Sequence, residues 1–435
     1  MSKGRPHEDT PDGNTLRPRQ TLLLGPLVLF LSIHLTFYLS AWQTDHMRPM
    51  FPIGSIQTRK TLDYYQVPNG AKSYFEGGSI VGQRREFPVL PNVYHPAFTV
   101  VVGGVLKTWD EQTGFFIYSL FKLAASLALA AIIFRLHPDA PHRVLAAFVY
   151  FCFFSEAVEI GSGQYHFLLN AAVFLMLMIP LEPASQRGES LRTLGYFGSL
   201  LIKPIGALWL LPLWMNRRYR AAIFGFGLFA IVTALFWLDK EAGGDYYVAN
   251  LAKRTSDLKL VEEPTYTFNW LLSYFHVSPD GLRMAKYAAG LGLFVYTALV
   301  GPTLFIGMFL WTAYYLLFYI WVFEYHYTSL VPFYVLGVMT RPEFQRPLVR
   351  AAIVWSCLPS PYLLLQSSGM FASPQSAELN PHGLLIVVGW KVVPLLIVVG
   401  SVIRDSIREK RTSAAGASNT SSSKSAIKKA TSAQS

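Results

Sequence analysis

Charged residues are scarce in this sequence, and their scarcity decides its class. Asp, Glu, Lys and Arg make up 14% of the 435 residues, while 52% are hydrophobic. A soluble protein of this length carries about a quarter charged residues, so a soluble globular domain is excluded. The apolar runs are mostly about 17 to 22 residues long, enough to cross a bilayer as helices, and they predict an α-helical membrane protein rather than a barrel.

Cysteine is almost as rare, which excludes a disulfide framework. The two cysteines, Cys152 and Cys357, both lie inside apolar runs, so neither a disulfide nor a metal site is expected there. No compact spacing of His and Asp indicates a chelated ion, and we expect no metal and no cofactor. The first apolar run, which begins near Thr21, also lacks a small-residue cleavage pattern, so we expect it to remain as the first helix.

Basic residues give the chain a net charge of +11, but they do not form a nucleic-acid patch. They concentrate in short loops and at the two ends, where Lys and Arg mark the cytoplasmic side of a membrane protein. The pattern predicts a cytoplasmic segment over residues 1–20, a membrane domain over 21–403 and a basic, disordered cytoplasmic tail over 404–435. The long loops 43–95 and 239–282 are then extracytoplasmic, and the protein is a multi-pass protein of the cell membrane.

One apolar stretch is not a simple span. It runs from Leu191 to Met215 between two basic segments, with Lys203-Pro204 at its middle. If both flanks are cytoplasmic, the stretch is a re-entrant hairpin that turns where Pro204 removes a backbone donor. The predicted fold is therefore an all-α polytopic membrane bundle of about ten transmembrane helices plus this short hairpin.

Polar residues that could form a site gather at helix ends and loops on the extracytoplasmic side. They are Asp63, His95, Gln164, His166, Asn269, Glu324 and His326. Asp63 is either a loop aspartate paired with a nearby basic residue or the base that accepts a proton from an attacking hydroxyl. His95 either caps the helix that starts at Pro96 or donates to a phosphate, aided by the amino-terminal end of that helix.

Lys203 is the residue hardest to explain by packing alone. It lies between apolar runs, where a charge costs about 2.5 to 3.5 kcal/mol on insertion scales. It either snorkels to an interface, or it neutralises a lipid phosphate or braces a buried carboxylate such as Glu156 or Glu159. These two glutamates lie near the outer end of their predicted span and could themselves be site groups.

Glu324 and His326 lie where one predicted span ends and the next begins. An aromatic belt explains the neighbouring Tyr325 and Tyr327, but not an acid and an imidazole together. His326 could bind phosphate or brace Asp63, and Glu324 could bind sugar hydroxyls. A structural role fits both residues equally well.

Several short segments together resemble glycosyltransferase family 87, the GT-C-type enzymes that include polyprenol-phosphate-mannose-dependent mannosyltransferases of the PimE kind. The matching segments are Asp63-Tyr64-Tyr65, Tyr94-His95-Pro96, Gly163-Gln164, Lys203-Pro204, Asn216-Arg217-Arg218-Tyr219-Arg220, Phe268-Asn269 and Glu324-Tyr325-His326. The likeness covers roughly residues 20 to 340. Where the family often has Gly-Gln-x-Asn, this chain has Gly163-Gln164-Tyr165-His166, so the donor sugar is not specified.

The resemblance implies a lipid-linked sugar as donor and a one-step, inverting transfer on the extracytoplasmic side. Asp63 would be the catalytic base. The residues that would bind the donor phosphate or sugar are His95, Gln164, Lys203, Asn269, Glu324 and His326. The implied partners are a polyprenyl-phosphate sugar donor, a lipid or glycan acceptor and membrane lipids, and the implied activity is transfer of a hexose, with mannose as the expected sugar.

Two other functions remain open. A related GT-C enzyme could transfer another sugar, such as arabinose, to a lipid or protein. A transporter or flippase of lipid-linked sugars would explain why Lys203, Glu156 and Glu159 lie within or between apolar runs. We find no internal repeat of the kind that many transporters contain, and the long outer loops with an acidic residue favour the enzyme.

Overall fold

A computed structural model describes most of the chain. The described residues are 25–29, 31–32, 62–81, 92–178, 186–239, 243, 245–249, 265–319, 322–361, 365, 371–373, 376–379 and 381–432. Within the predicted first span, Thr21 to Trp42, residues 25–29 and 31–32 are helical. The remainder of that span, and most of the loop 43–95 before residue 62, lie outside the described residues.

The described chain is almost entirely helical, which confirms the predicted all-α class. Its α-helices are α1 Leu62–Phe75, α2 Pro96–Leu106 (π-helical over Thr99–Gly103), α3 Glu111–Leu136, α4 Arg143–Cys152, α5 Phe154–Ser162, α6 His166–Met178, α7 Gln186–Ile202, α8 Leu210–Met215, α9 Tyr219–Leu238, α10 Phe268–Tyr274, α11 Pro279–Val300, α12 Leu304–Phe318, α13 Val331–Thr340, α14 Pro347–Cys357 and α15 Pro381–Ser432. The 3-10 helices are Pro204–Trp209, Glu324–Leu330 and Pro342–Phe344. Two short antiparallel strands, β1 Phe371–Ser373 and β2 Ser376–Leu379, form a hairpin.

Three helices among the described residues are long and apolar enough to cross a membrane. Their apolar parts are Thr113–Leu136, Tyr219–Leu238 and His382–Thr412. Five shorter apolar helices of 10–17 residues are Pro96–Leu106, His166–Met178, Ile205–Met215, Leu304–Phe318 and Pro347–Cys357. Helices of both lengths agree with a helical membrane protein, and the count of about ten spans stays a prediction.

The hairpin predicted around Lys203-Pro204 is present. Helix α7 ends at Ile202, Lys203 has extended backbone angles (φ −148°, ψ 143°), and Pro204 opens a 3-10 helix. The second arm folds back on the first, because a Cβ added at Gly206 would lie 2.7 Å from the Ser199 hydroxyl oxygen. The turn therefore occurs where the proline breaks the helical hydrogen-bond pattern.

Ion pairs join the open end of this hairpin. Glu189, in the first turn of α7, forms ion pairs with Arg192 and, at 2.9 Å, with Arg218, which directly precedes α9. The two basic flanks that the sequence places on the same side of the membrane therefore meet at one carboxylate.

Helix α12 is the centre of the bundle. All of its residues except Tyr314 are buried, as expected for a helix that is hydrophobic on every side. The hairpin packs against it, because the buried Trp209 donates its indole N–H to the Thr312 hydroxyl at 3.1 Å. The core thus forms between the hairpin, α12 and the helices that surround them.

Two segments differ from the sequence prediction. The predicted loop 43–95 contains helix α1, and helix α15 continues through residues 404–432, where the sequence predicts a disordered tail. Low hydrophobicity indicates only that a segment buries little apolar surface. It does not prevent helix formation in a stretch that has alanine and lysine and no proline.

Candidate active site

The start of helix α1 is packed against the turn between α5 and α6. Gly163 in that turn has φ 70°, and a Cβ added to it would lie 2.6 Å from the Cβ of the buried Tyr64. The Tyr165 hydroxyl donates to the Tyr64 carbonyl oxygen at 3.1 Å. Asp63 is the residue before Tyr64, so its backbone lies next to this turn; its side chain is outside the described part of the structure.

Tyr94, Gln164 and Lys203 come together beside the same turn. The Tyr94 hydroxyl donates to the Gln164 side-chain oxygen at 2.7 Å, and both residues are buried. The Lys203 ammonium lies 5.3 Å from the centroid of the Tyr94 ring, within range of a cation–π interaction. The hairpin turn thus brings a positive charge to the segment that precedes α2.

Two histidines face each other next to this group. The ring centroids of His166 and His326 are 5.0 Å apart, and the His326 ring stacks on Tyr325 at 4.4 Å. His326 Nδ1 accepts a hydrogen bond from the Phe323 N–H at 3.0 Å, whereas His166 Nδ1 is buried without a hydrogen-bond partner among the described residues. His166 follows Gln164 by two residues, so the imidazole pair lies beside the Tyr94 and Lys203 contacts. Two imidazoles and an ammonium group together can bind an anion.

His95 has a different environment. Its Nδ1 accepts from the Ala97 N–H at 3.1 Å, which caps helix α2, and its Nε2 lies 2.9 Å from the Thr233 hydroxyl on α9. Thr233 gives its own proton to the Phe229 carbonyl oxygen, so Nε2 carries the imidazole proton and donates. Burial lowers the pKa of His95 to about 4. Both ring nitrogens of the neutral imidazole therefore form hydrogen bonds within the protein.

Glu324 also has protein partners for both oxygens. Its Oε1 lies 3.0 Å from the Lys391 ammonium and accepts from the Ser360 hydroxyl at 3.2 Å. Its Oε2 accepts from the Tyr266 hydroxyl at 3.2 Å. The carboxylate is buried in this network, and these contacts tie it to α15 and to the chain before α10.

Asn269 lies in the first turn of α10, beside the end of α12. Its side-chain N–H donates to the Phe318 carbonyl oxygen at 3.0 Å. Its side-chain oxygen is buried and has no hydrogen-bond partner among the described residues. A buried amide oxygen of this kind can accept a hydrogen bond from a ligand hydroxyl.

Sequence reasoning missed two buried lysines. Lys122 lies 2.8 Å from Glu159, and Lys391 pairs with Glu324, with all four side chains nearly inaccessible. A signal was available, because each lysine is an isolated charge inside an apolar run of a predicted span. No group of three or more His, Cys, Asp or Glu close enough to hold a metal ion occurs within the described ranges.

The profile of glycosyltransferase family 87 matches residues 92–323, more than half of the chain. The chain belongs to glycosyltransferase family 87. The family predicted from the short sequence motifs is thereby confirmed, and the protein is a membrane glycosyltransferase. No curated protein and no solved structure matches the chain.

The family 87 segment contains most of the polar residues of the candidate site, which we call the cluster: Tyr94, Gln164, His166, Lys203 and His326. Tyr94, Gln164, His166 and Lys203 lie inside it, together with His95 and Asn269. Asp63 precedes the segment, and Glu324, His326 and Lys391 follow it. The fold brings helix α1 and the 3-10 helix Glu324–Leu330 to the same place as the matched residues.

Proposed function

We propose that this family 87 glycosyltransferase transfers a hexose, with mannose as the leading sugar, from a polyprenyl-phosphate donor to a lipid or glycan acceptor on the extracytoplasmic side. The observation that carries the proposal is the convergence of Lys203, His166 and His326 beside the start of the helix that contains Asp63. Transfer from a sugar phosphate needs a carboxylate to accept the proton of the acceptor hydroxyl and several groups to bind the phosphate anion. These residues together provide both.

The phosphate of the donor is the leaving group in this reaction. As the bond between the anomeric carbon and the phosphate oxygen breaks, negative charge grows on the phosphate. An ammonium group and imidazole N–H donors that the fold already holds in place stabilise that charge without reorganising. Lys203, His166 and His326 would fill this role, with Asn269 accepting from a sugar hydroxyl through its buried oxygen.

The acceptor hydroxyl attacks from the opposite face of the sugar. A carboxylate within hydrogen-bond reach of that hydroxyl takes its proton as the new glycosidic bond forms. We assign this role to Asp63, since its helix begins beside Gly163 and Gln164. One displacement of this kind inverts the configuration at the anomeric carbon. We assign no sugar contact to Glu324, because both of its oxygens have protein partners.

The charge distribution of the hairpin supports the proposed side. Glu189 and its arginine partners, Arg192 and Arg218, lie at the open end of the hairpin, and Lys203 lies at the turn. The rise of an α-helix puts the two ends about 20 Å apart. If the arginine-rich end is cytoplasmic, as basic residues usually are, the turn and the cluster lie towards the extracytoplasmic side of the membrane.

The test is transfer of radiolabelled mannose from polyprenyl-phosphate mannose to membrane lipid extracts by the purified protein. We expect transfer by the wild type, and a loss of about 10²- to 10⁴-fold in Asp63→Asn, as for removal of a general base. Asp280→Asn is the matched control, because Asp280 is exposed and forms an ion pair with Arg283, which is also exposed. It should retain the wild-type rate.

Three outcomes contradict parts of the proposal. Transfer of arabinose but not mannose would keep the lipid-linked donor and replace the sugar. No transfer from any lipid-linked sugar, together with movement of such lipids across vesicle membranes, would favour the flippase. Full activity in a folded Asp63→Asn protein would require another base.

A further inference from the structure

Two buried lysine–glutamate pairs lie next to the site without belonging to the transfer chemistry. Lys391 is 3.0 Å from Glu324 and Lys122 is 2.8 Å from Glu159, with side chains at most 4% exposed. A buried ion pair contributes little to stability, because the desolvation of both charges offsets their attraction, and apolar residues of similar size often serve as well. These pairs therefore call for an explanation other than stability.

The Lys391 pair joins three parts of the fold. Besides Glu324, the ammonium group donates to the carbonyl oxygens of Ser356 at 3.2 Å and Leu358 at 2.8 Å. All three of its protons are thus used. The pair connects helix α15 to the end of α14 and to the first residue of the 3-10 helix Glu324–Leu330.

This 3-10 helix sets the position of His326. The Phe323 N–H, just before Glu324, donates to His326 Nδ1 at 3.0 Å. The ring of His326 is therefore oriented by the same turn that Glu324 anchors. Movement of Glu324 would move the imidazole with it.

The Lys122 pair acts in the same way on the facing histidine. Glu159 Oε1, the atom bound by Lys122, also accepts from the Phe167 N–H at 2.8 Å. Phe167 follows His166, and the Glu159 carbonyl oxygen accepts from the Gln164 N–H at 3.1 Å. Glu159 thus holds both ends of the short segment that contains His166.

We propose that Lys391 and Lys122 are positioning residues, each of which anchors, through its glutamate, one of the two histidines that face each other in the site. The proposal rests on the proposed function for its catalytic consequence. It also makes helix α15, which lies beyond the segment matched by the family profile, a part of the catalytic unit.

The test compares Lys391→Met with the double variant Lys391→Met/Glu324→Gln. The single variant leaves a buried carboxylate unpaired and should lower the Tm, while the double variant removes that charge, keeps an acceptor for Tyr266 and should regain most of the Tm. If Lys391 positions His326, kcat of the double variant should stay reduced by about tenfold or more, since small displacements of reacting groups cost large factors in rate. The KM for the donor should change less.

The control is Glu189→Gln at the far end of the hairpin. It breaks ion pairs with Arg192 and Arg218, so it should lower the Tm and leave kcat unchanged. A Lys391→Met/Glu324→Gln protein with both Tm and kcat restored would show that the pair is only structural and would overturn the proposal. A double variant that regains no Tm would overturn it as well, because the pair would then be required for folding.

A second readout does not depend on the sugar donor. Diethylpyrocarbonate modifies imidazoles, and mass spectrometry follows His326 and His95, both of which are buried, in one sample. In the double variant the modification rate of His326 should rise severalfold while that of His95 stays constant. Equal rates in wild type and variant would refute positioning, whereas absence of transfer by the wild type with a normal modification result would refute only the proposed function.

Discussion

Replacement of Gly163 by alanine tests whether the contact between helix α1 and the α5–α6 turn controls the site. Two effects act at this position. The left-handed backbone, φ 70°, costs a residue with a Cβ about 1–2 kcal/mol. The new Cβ would also meet the Tyr64 Cβ at 2.6 Å and its backbone nitrogen at 3.2 Å, closer than ordinary contact.

The second effect reaches Asp63. To relieve the clash, the start of helix α1 and the α5–α6 turn must move apart, which displaces Asp63 relative to the residues of that turn. A displacement of about 1 Å in a reacting group costs about 100-fold in rate. We therefore expect Gly163→Ala to lower the free energy of unfolding by about 1–2 kcal/mol or more and to reduce kcat far more than a loss of folded protein explains.

The assay combines thermal unfolding in detergent with sugar transfer measured on folded protein. The matched control is Gly198→Ala on helix α7, where a new Cβ meets nothing within 4 Å. Because alanine favours a helix over glycine by about 1 kcal/mol, this control should be as stable as the wild type or more so, and equally active. A Gly163→Ala protein with unchanged Tm and kcat would refute the contact as the determinant of the position of Asp63.

Two further predictions concern His95 and Lys203. Burial lowers the pKa of His95 from 6.5 to about 4, so the unfolded chain takes up a proton first and stability is lost as the pH falls from 6.5 towards 4. The Tm of His95→Gln should therefore fall less than that of the wild type over this pH range. Equal losses of Tm in the two proteins would contradict a buried, neutral His95. Lys203→Met should lower kcat/KM for the donor about tenfold or more, because it removes a charged hydrogen bond to the phosphate on which negative charge grows during transfer. Lys107→Met, which removes a cation that lies over the Phe75 ring, should keep the wild-type kcat/KM. An unchanged kcat/KM in Lys203→Met would remove Lys203 from the phosphate site.

Predictions from the sequence were most accurate where the cause is local. The apolar runs and the scarcity of charge determined the helical membrane class, since a bilayer accepts only segments that satisfy their own backbone hydrogen bonds. Pro204 between two basic flanks determined the hairpin, because proline removes a helical donor wherever it occurs. The cap formed by His95 was one of two local alternatives, and its Ala97 contact lies two residues away.

The roles of Glu324, Lys391, Lys122 and His166 depended on tertiary structure. Glu324 and His326 are two residues apart in a 3-10 helix, yet one binds Lys391 and the other faces His166. Partners separated by 67 or 160 positions cannot be derived from spacing, because contact between them depends on how whole helices pack. The sequence by itself therefore determined the class, the family motifs and the turn at Pro204, and only the tertiary structure decided which polar residues meet, since a buried charge takes whichever partner the packing brings within reach.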